Sequence, residues 1–200
     1  MAGYWANPEA TKDTIRDGWL YTGDLGYVDK DGFLYVLGRS KSLLIADDGE
    51  KFSPESIEEA LVEHSAFIDQ CMLYNNQNAY TSALIYPNMT AVKRWLSAQN
   101  LNAEEEETSR EIIQLIESQI DQFLAGGKLQ DMFPHRWLPS TFSIIEEGFT
   151  EDNQLLNSTL KIVRPKINDH FKDRIMFMYT PAGKNIFNDQ NVNCLKKLMQ

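Results

Sequence analysis

Residues 38–61, GRSKSLLIADDGEKFSPESIEEAL, pass from strand to turn to helix within a short span. Ser42 to Ile45 has strand composition, and Asp48-Gly49 marks a tight turn. Ser53-Pro54 opens a helix: the hydroxyl is placed to cap it, and Pro54 takes the first helical position. Ile57, Ala60, Leu61 and His64 then fall at helical spacing on one face. Further on, Ile68 to Tyr74 and Thr81 to Tyr86 read as strands, with Asn75-Asn76-Gln77-Asn78 as a polar turn between them. Residues 89–98 read as a short helix. The next helix is better marked, because Ile112, Ile116, Ile120 and Phe123 repeat on one face and Ile113 and Leu124 widen the stripe. Glu104 to Glu107 lead it, favoured by the helix dipole, and Gly126-Gly127 end it. Thr141 to Ile145 is a further strand, and Pro165 starts a last helix reaching about residue 173. The expected fold is α+β, a small mixed sheet flanked by helices. Residues 180–200 are weakly patterned and are expected to form an appended tail.

Upstream, residues 18–39 read GWLYTGDLGYVDKDGFLYVLGR, short strands around an Asp31-Gly32 hairpin turn. Tyr4, Trp5, Trp19, Tyr21, Tyr27, Phe33 and Tyr35 crowd this region. Side chains of that size need a surface to cover them, and a hairpin offers little. The expectation is that this first segment belongs against a domain lying upstream.

The chain has 200 residues, 19 Lys+Arg, 29 Asp+Glu and a net charge of −10. An acidic chain argues against a general nucleic-acid-coating role. Leu101 to Ala125 supplies most of the negative charge, and a solvated helix face accounts for it. Cys71 and Cys194 are too few for a disulfide framework or a zinc cage. There is no apolar run long enough to span a membrane and no signal peptide, which points to a cytoplasmic protein. Other motifs fail. Asp29-Lys30-Asp31-Gly32 lacks the distal Glu of a calcium loop, where Ser40 stands. Gly126-Gly127-Lys128 lacks P-loop spacing, no G-x-S-x-G elbow occurs, and His64, His135 and His170 share no ligand spacing.

Three segments remain: residues 18–39, residues 38–61, and LLNSTLKIVR at 155–164. Each alone has an ordinary reading, as a turn acid, a surface base or a solvated lysine. Together they resemble the adenylate-forming superfamily of acyl-CoA synthetases, luciferases and peptide-synthetase adenylation domains. DGWLYTGDLG is similar to the end of that family's large N-terminal domain, and GRSKSLLI to its interdomain hinge. NSTLKIVR is similar to the Thr-Leu-Lys form of the last motif in long-chain fatty acyl-CoA synthetases. The resemblance implies that residues 1–39 close the N-terminal adenylation domain and residues 40–179 form the C-terminal lid domain.

The same resemblance implies roles. Asp24 matches the carboxylate that accepts hydrogen bonds from the ATP ribose hydroxyls, and Arg39 lies near the same ribose. Lys161 matches the catalytic lysine that reaches the attacking carboxylate and α-phosphate oxygens. Its surroundings are basic, since Thr159 to Arg174 holds five Lys/Arg against two Asp, though an exposed helix would show the same. Lys41 falls at the hinge, where the backbone absorbs the domain rotation. Gly49 matches the loop glycine that approaches the coenzyme A tunnel, although ADDGEK departs from the commoner forms of that loop. The implied reaction joins a carboxylate, expected to be a long-chain fatty acid, to ATP, and coenzyme A then displaces AMP. Mg2+ is expected with the ATP, without a ligand in these residues. The phosphate loop and acyl pocket are not in the sequence, so the chain alone is expected to be inactive and to need the N-terminal domain as partner. Two readings compete with this one: loading of a carrier-protein thiol, and a non-catalytic interaction module. The acidic Ile112–Leu124 helix leaves peripheral membrane contact open, with an acidic face unsuited to anionic lipid.

Overall fold

Asn7 and Pro8 start the first helix of the computed structural model, which describes residues 1–102 and 105–200. The chain forms two units, Met1–Leu43 and Leu44–Gln200. In the first, the Asn7 side chain accepts the Ala10 N–H at 3.0 Å and caps α1 (Pro8–Thr14). The short strands β1 (Ile15–Arg16) and β2 (Trp19–Leu20) pair antiparallel, followed by the hairpin β3 (Asp24–Val28) and β4 (Leu34–Arg39). Asp29 Oδ1 accepts the Asp31 and Phe33 amides, both at 2.9 Å, and so closes the hairpin turn. No residue of this unit is buried. Trp5 is 97% exposed and Trp19 76%, and Phe33, Leu34 and Val36 are also open to solvent. An apolar surface of this extent marks an interaction face.

The larger unit begins with β5 (Leu44–Ala46) and β6 (Lys51–Phe52), then α2 (Glu55–Glu63) and β7 (Ile68–Tyr74). There follow β8 (Asn76–Asn78), β9 (Thr81–Pro87), α3 (Met89–Gln99) and α4 (Glu106–Asp121). A 3-10 turn at His135–Trp137 leads into β10 (Pro139–Ile144). The last helices are α5 (Arg164–His170), α6 (Lys172–Met178), α7 (Pro181–Lys184) and α8 (Asp189–Met199).

The main sheet has the order β10-β9-β7, with β9 parallel to β10 and antiparallel to β7, so it is mixed as expected. Successive strand side chains point to opposite faces, and both faces are covered. Leu73, Ala83, Ile85, Phe142 and Ile144 join one core with α2, α3, α4 and α8. Met72, Leu84 and Ile145 join a second with α5, α6 and the segment before them. The predicted stripe of Ile112, Ile113, Ile116, Ile120 and Phe123 is buried in the first core. Glu104, placed at the head of that helix by the sequence, lies outside the described residues.

Four local expectations are corrected. The Ser53 hydroxyl does not cap α2; it donates to the Glu55 carboxylate, and Pro54 stands at the cap position without a side-chain bond. His64 is exposed at the end of α2 rather than part of its buried face. The Asn-rich stretch is a strand, because β8 pairs in parallel with β5. The helix starting near Pro165 is two, α5 and α6, broken at Phe171.

Residues 180–200 are not a tail. Val192 and Leu195, at i and i+3 on α8, are buried in the first core with Cys194. Asn191 fixes the helix to the sheet edge: its Oδ1 accepts the Ile144 N–H at 2.8 Å, and its Nδ2 donates to the carbonyls of Phe142 (3.1 Å) and Ile186 (2.9 Å). Asparagine thus satisfies the outer face of an edge strand that would otherwise be open to pairing. Asn191→Ala strands three buried backbone groups and should lower stability by about 3 kcal/mol or more. Urea unfolding followed by circular dichroism checks this; an unchanged midpoint would show that α8 does not hold β10.

Candidate functional site

Asp24 and Arg39 sit directly opposite one another on the β3–β4 hairpin. The register brings Arg39 Nε to 3.1 Å from Asp24 Oδ1, with both side chains well exposed. An ion pair this open adds little to stability, so its geometric effect is the more consequential one. Arg39 fixes the carboxylate, and Oδ2 is left without a partner among the described residues. The Asp24 amide bonds the Thr22 hydroxyl at 3.1 Å, and Ser40 bonds the Gly23 carbonyl through both its amide and its hydroxyl. Lys41 follows within residues 40–43, between the last strand of one unit and the first of the next.

Gly49 occupies the turn between β5 and β6 with φ +86, a conformation that favours glycine. Its amide donates to the Ala46 carbonyl at 2.9 Å, and the Ala46 amide to that of Glu50 at 2.9 Å. A Cβ at Gly49 would meet nothing within 4 Å, so backbone shape and not crowding is the requirement. The flanking acids are held from far along the chain. Arg136 pairs with the carboxylates of Asp48 and Glu50, and Trp137 Nε1 donates to Glu50 at 3.1 Å. The Asp48 carboxyl lies below the usual carboxylate range, first through the Glu50 amide and then through Arg136.

Lys161 is exposed on a turn closed by the antiparallel bridge Leu156–Ile162. Asn157 builds that turn. Its Oδ1 accepts the Thr159 amide (2.9 Å), the Thr159 hydroxyl (2.8 Å) and the Lys161 amide (3.0 Å), and its own N–H donates to the Lys161 carbonyl at 2.9 Å. The intervening Leu160 has φ +58 and is 70% exposed, an uncommon state for a branched residue and one that the surrounding bonds must hold. The Lys161 ammonium has no partner among the described residues, so its charge is available.

Behind this turn, Arg164 reaches into the domain. It donates to the Leu73 carbonyl at 3.2 Å and pairs with Glu58, while Glu58 Oε1 accepts the Leu73 N–H at 2.6 Å. Burial pushes the Glu58 carboxyl up, and the Arg164 charge pulls it back. Neither Glu58, Arg164, Arg136, Trp137 nor Asn157 stands out as functional in the sequence, apart from the position of Asn157 and Arg164 in LLNSTLKIVR. Within their units, the structure brings Asp24 and Arg39 together and puts Gly49 and Lys161 on separate turns. Among the described residues no group of three or more His, Cys, Asp or Glu could hold a metal ion. No helix is long and apolar enough to cross a membrane among the same residues.

Comparison with known proteins matches the domain itself. Residues 41–125 match the family described as AMP-binding enzyme, C-terminal domain. The long-chain-fatty-acid–CoA ligase FadD15 of Mycobacterium tuberculosis is 31% identical over 184 residues, covering 90% of this chain and 29% of that protein. Fatty acyl-CoA synthetase B of Dictyostelium discoideum is 26% identical over 182 residues, covering 90% of this chain and 26% of that protein. Among solved structures, the adenylation domain of a carboxylate reductase from Mycobacterium chelonae superposes with a TM-score of 0.70 at 26% identity, covering 88% of this chain and 26% of that one. Over residues 41–125 the chain carries an AMP-binding enzyme C-terminal domain. It spans about a quarter of the length of the curated relatives it matches.

Proposed function

We propose that this chain supplies the C-terminal lid, and the last strip of the preceding domain, of an ATP-dependent acyl-CoA synthetase that acts on a long-chain fatty acid. One observation carries the reading: Lys161 is held by Asn157 where a fixed turn closes, with its ammonium without a partner among the described residues. A mobile lysine charge pre-positioned by its backbone suits a transition state in which negative charge grows on phosphoryl and carboxylate oxygens. Asp24, steadied by Arg39, would accept the ribose hydroxyls through its remaining oxygen. The carboxylate then attacks the α-phosphorus, pyrophosphate leaves, and the acyl-adenylate forms. In the second step the coenzyme A thiol attacks the acyl carbonyl and AMP departs, with the Gly49 turn against the thiol's path. The chain alone would not adenylate, because the segments holding the triphosphate and the acyl group lie in the proposed N-terminal partner. The bare apolar hairpin face is consistent with such a partner.

Lys41 lies at the end of the first unit, two residues before its last, Leu43, and would be the hinge. In the protein that joins this chain to its adenylation domain, Lys41→Pro should leave pyrophosphate release intact and slow thioester formation about tenfold or more. Equal loss of both steps would contradict a hinge. The similarity to a carboxylate reductase adenylation domain supports a second reading, transfer to a carrier-protein thiol. Offering free coenzyme A and a thiol-bearing carrier protein side by side distinguishes the two.

A further inference from the structure

The turn around Gly49 is short, exposed and acidic, and two like charges flank the glycine. Left to themselves, Asp48 and Glu50 would repel each other and loosen the turn. The structure answers with a cation from a distant part of the chain. Arg136 Nε lies 2.9 Å from Glu50 Oε2, and Arg136 Nη2 pairs with Asp48 Oδ2, so one guanidinium bridges both sides of the turn. The neighbouring Trp137 donates its indole N–H to the same Glu50 oxygen and stacks on Phe52 with the rings 5.1 Å apart and 3° from parallel. Phe52 is itself buried and belongs to β6, the strand that leaves the turn. A rigid fork suits this bridging, because its donors are fixed relative to one another; a lysine offers only a point charge.

We infer that Arg136, backed by Trp137, is the positioning residue for the Asp48–Gly49–Glu50 turn, holding it in the shape needed for thioester formation. The inference deepens the proposed function, since the step it affects is the one assigned there to Gly49. Arg136 need not touch substrate. It acts by keeping the Gly49 backbone in its left-handed conformation while the Ala46, Gly49 and Glu50 amides stay bonded. Adenylation, which relies on Asp24, Arg39 and Lys161, makes no demand on this turn.

Two measurements test this. Amide exchange by NMR on the 200-residue chain should show the Ala46, Gly49 and Glu50 amides exchanging about tenfold faster in Arg136→Gln. Arg136→Lys should recover part of that loss, and the Leu73 amide, bonded to Glu58, should be unchanged as the control for folding. Unchanged exchange at the turn would overturn the clamp. In the protein joined to its adenylation domain, Arg136→Gln should slow thioester formation about tenfold and leave pyrophosphate release within about twofold of the parent. Both steps unchanged, or both slowed alike, would overturn the positioning role. A parent protein that releases no pyrophosphate with any carboxylate would instead overturn the ligase reading, and the amide measurement would still decide the clamp.

Discussion

In the protein joined to its adenylation domain, Lys161→Ala should slow carboxylate-dependent pyrophosphate release about 10²–10³-fold, the loss seen when a donor that stabilises developing negative charge is removed. The side chain is exposed and its ammonium has no partner among the described residues, so the substitution should leave folding intact and the loss should report chemistry alone. Lys161→Arg keeps the charge on a different shape, and an intermediate loss is expected. Thioester formation from a supplied acyl-adenylate should change much less, because phosphoryl transfer is already complete. Stopped-flow or radiolabel assays of the separate half-reactions read both numbers. A loss below about threefold in adenylation would mean that the charge acts elsewhere.

Glu58→Ala should destabilise the larger unit by about 3–5 kcal/mol, the scale for breaking a buried ion pair by removing one partner. The Arg164 guanidinium would lose its charge partner, and the Leu73 amide would lose its acceptor at a sheet edge. Burial pushes the Glu58 carboxyl up against the pull of Arg164, and a buried ion pair often gains nothing over a well-packed apolar replacement. Glu58→Met combined with Arg164→Met should recover the part of that loss due to the unpaired Arg164 charge, while the Leu73 amide and carbonyl stay without their side-chain partners. Because Arg164 anchors the segment that leaves the Lys161 turn, the double variant should still adenylate poorly. Denaturant unfolding and pyrophosphate release, measured on the same variants, separate the two effects. A double variant as unstable as Glu58→Ala would contradict this account of the pair.

The sequence was most legible where one periodicity governs a segment. The Ile112–Phe123 stripe follows from burial on one face repeating every turn, the Asp31-Gly32 hairpin from its turn residues, and β7 and β9 from runs of strand length bounded by polar turns. The Asn-rich stretch before Tyr80 was misread because its strand character comes from a partner, β5, some 30 residues away in sequence. The final helix was missed for a related reason. Its buried polar residue, Asn191, breaks the apolar pattern, and only the edge of β10 explains why an amide belongs there.

The candidate site divides along the same line. Asp24, Arg39, Gly49 and Lys161 stand in short motifs, which is why the sequence alone offers them as candidates. Arg136 and Glu58 were not, because each acts across roughly 90 to 105 residues of chain and leaves no local signature. Ser53 shows the opposite error: a sequence well suited to capping gave its hydroxyl to Glu55 instead. Short polar side chains have several backbone and side-chain partners within reach, and local pattern alone does not choose among them.

Under the proposed function this chain completes an adenylating enzyme and does not itself adenylate. The most direct measurement is pyrophosphate release from ATP and a long-chain fatty acid, made on the chain alone, on the upstream adenylation domain alone, and on the two joined. The account predicts release only from the joined protein, lost when Lys161 is replaced by alanine. Release from the 200-residue chain alone, or none from the joined protein with any carboxylate, would contradict it.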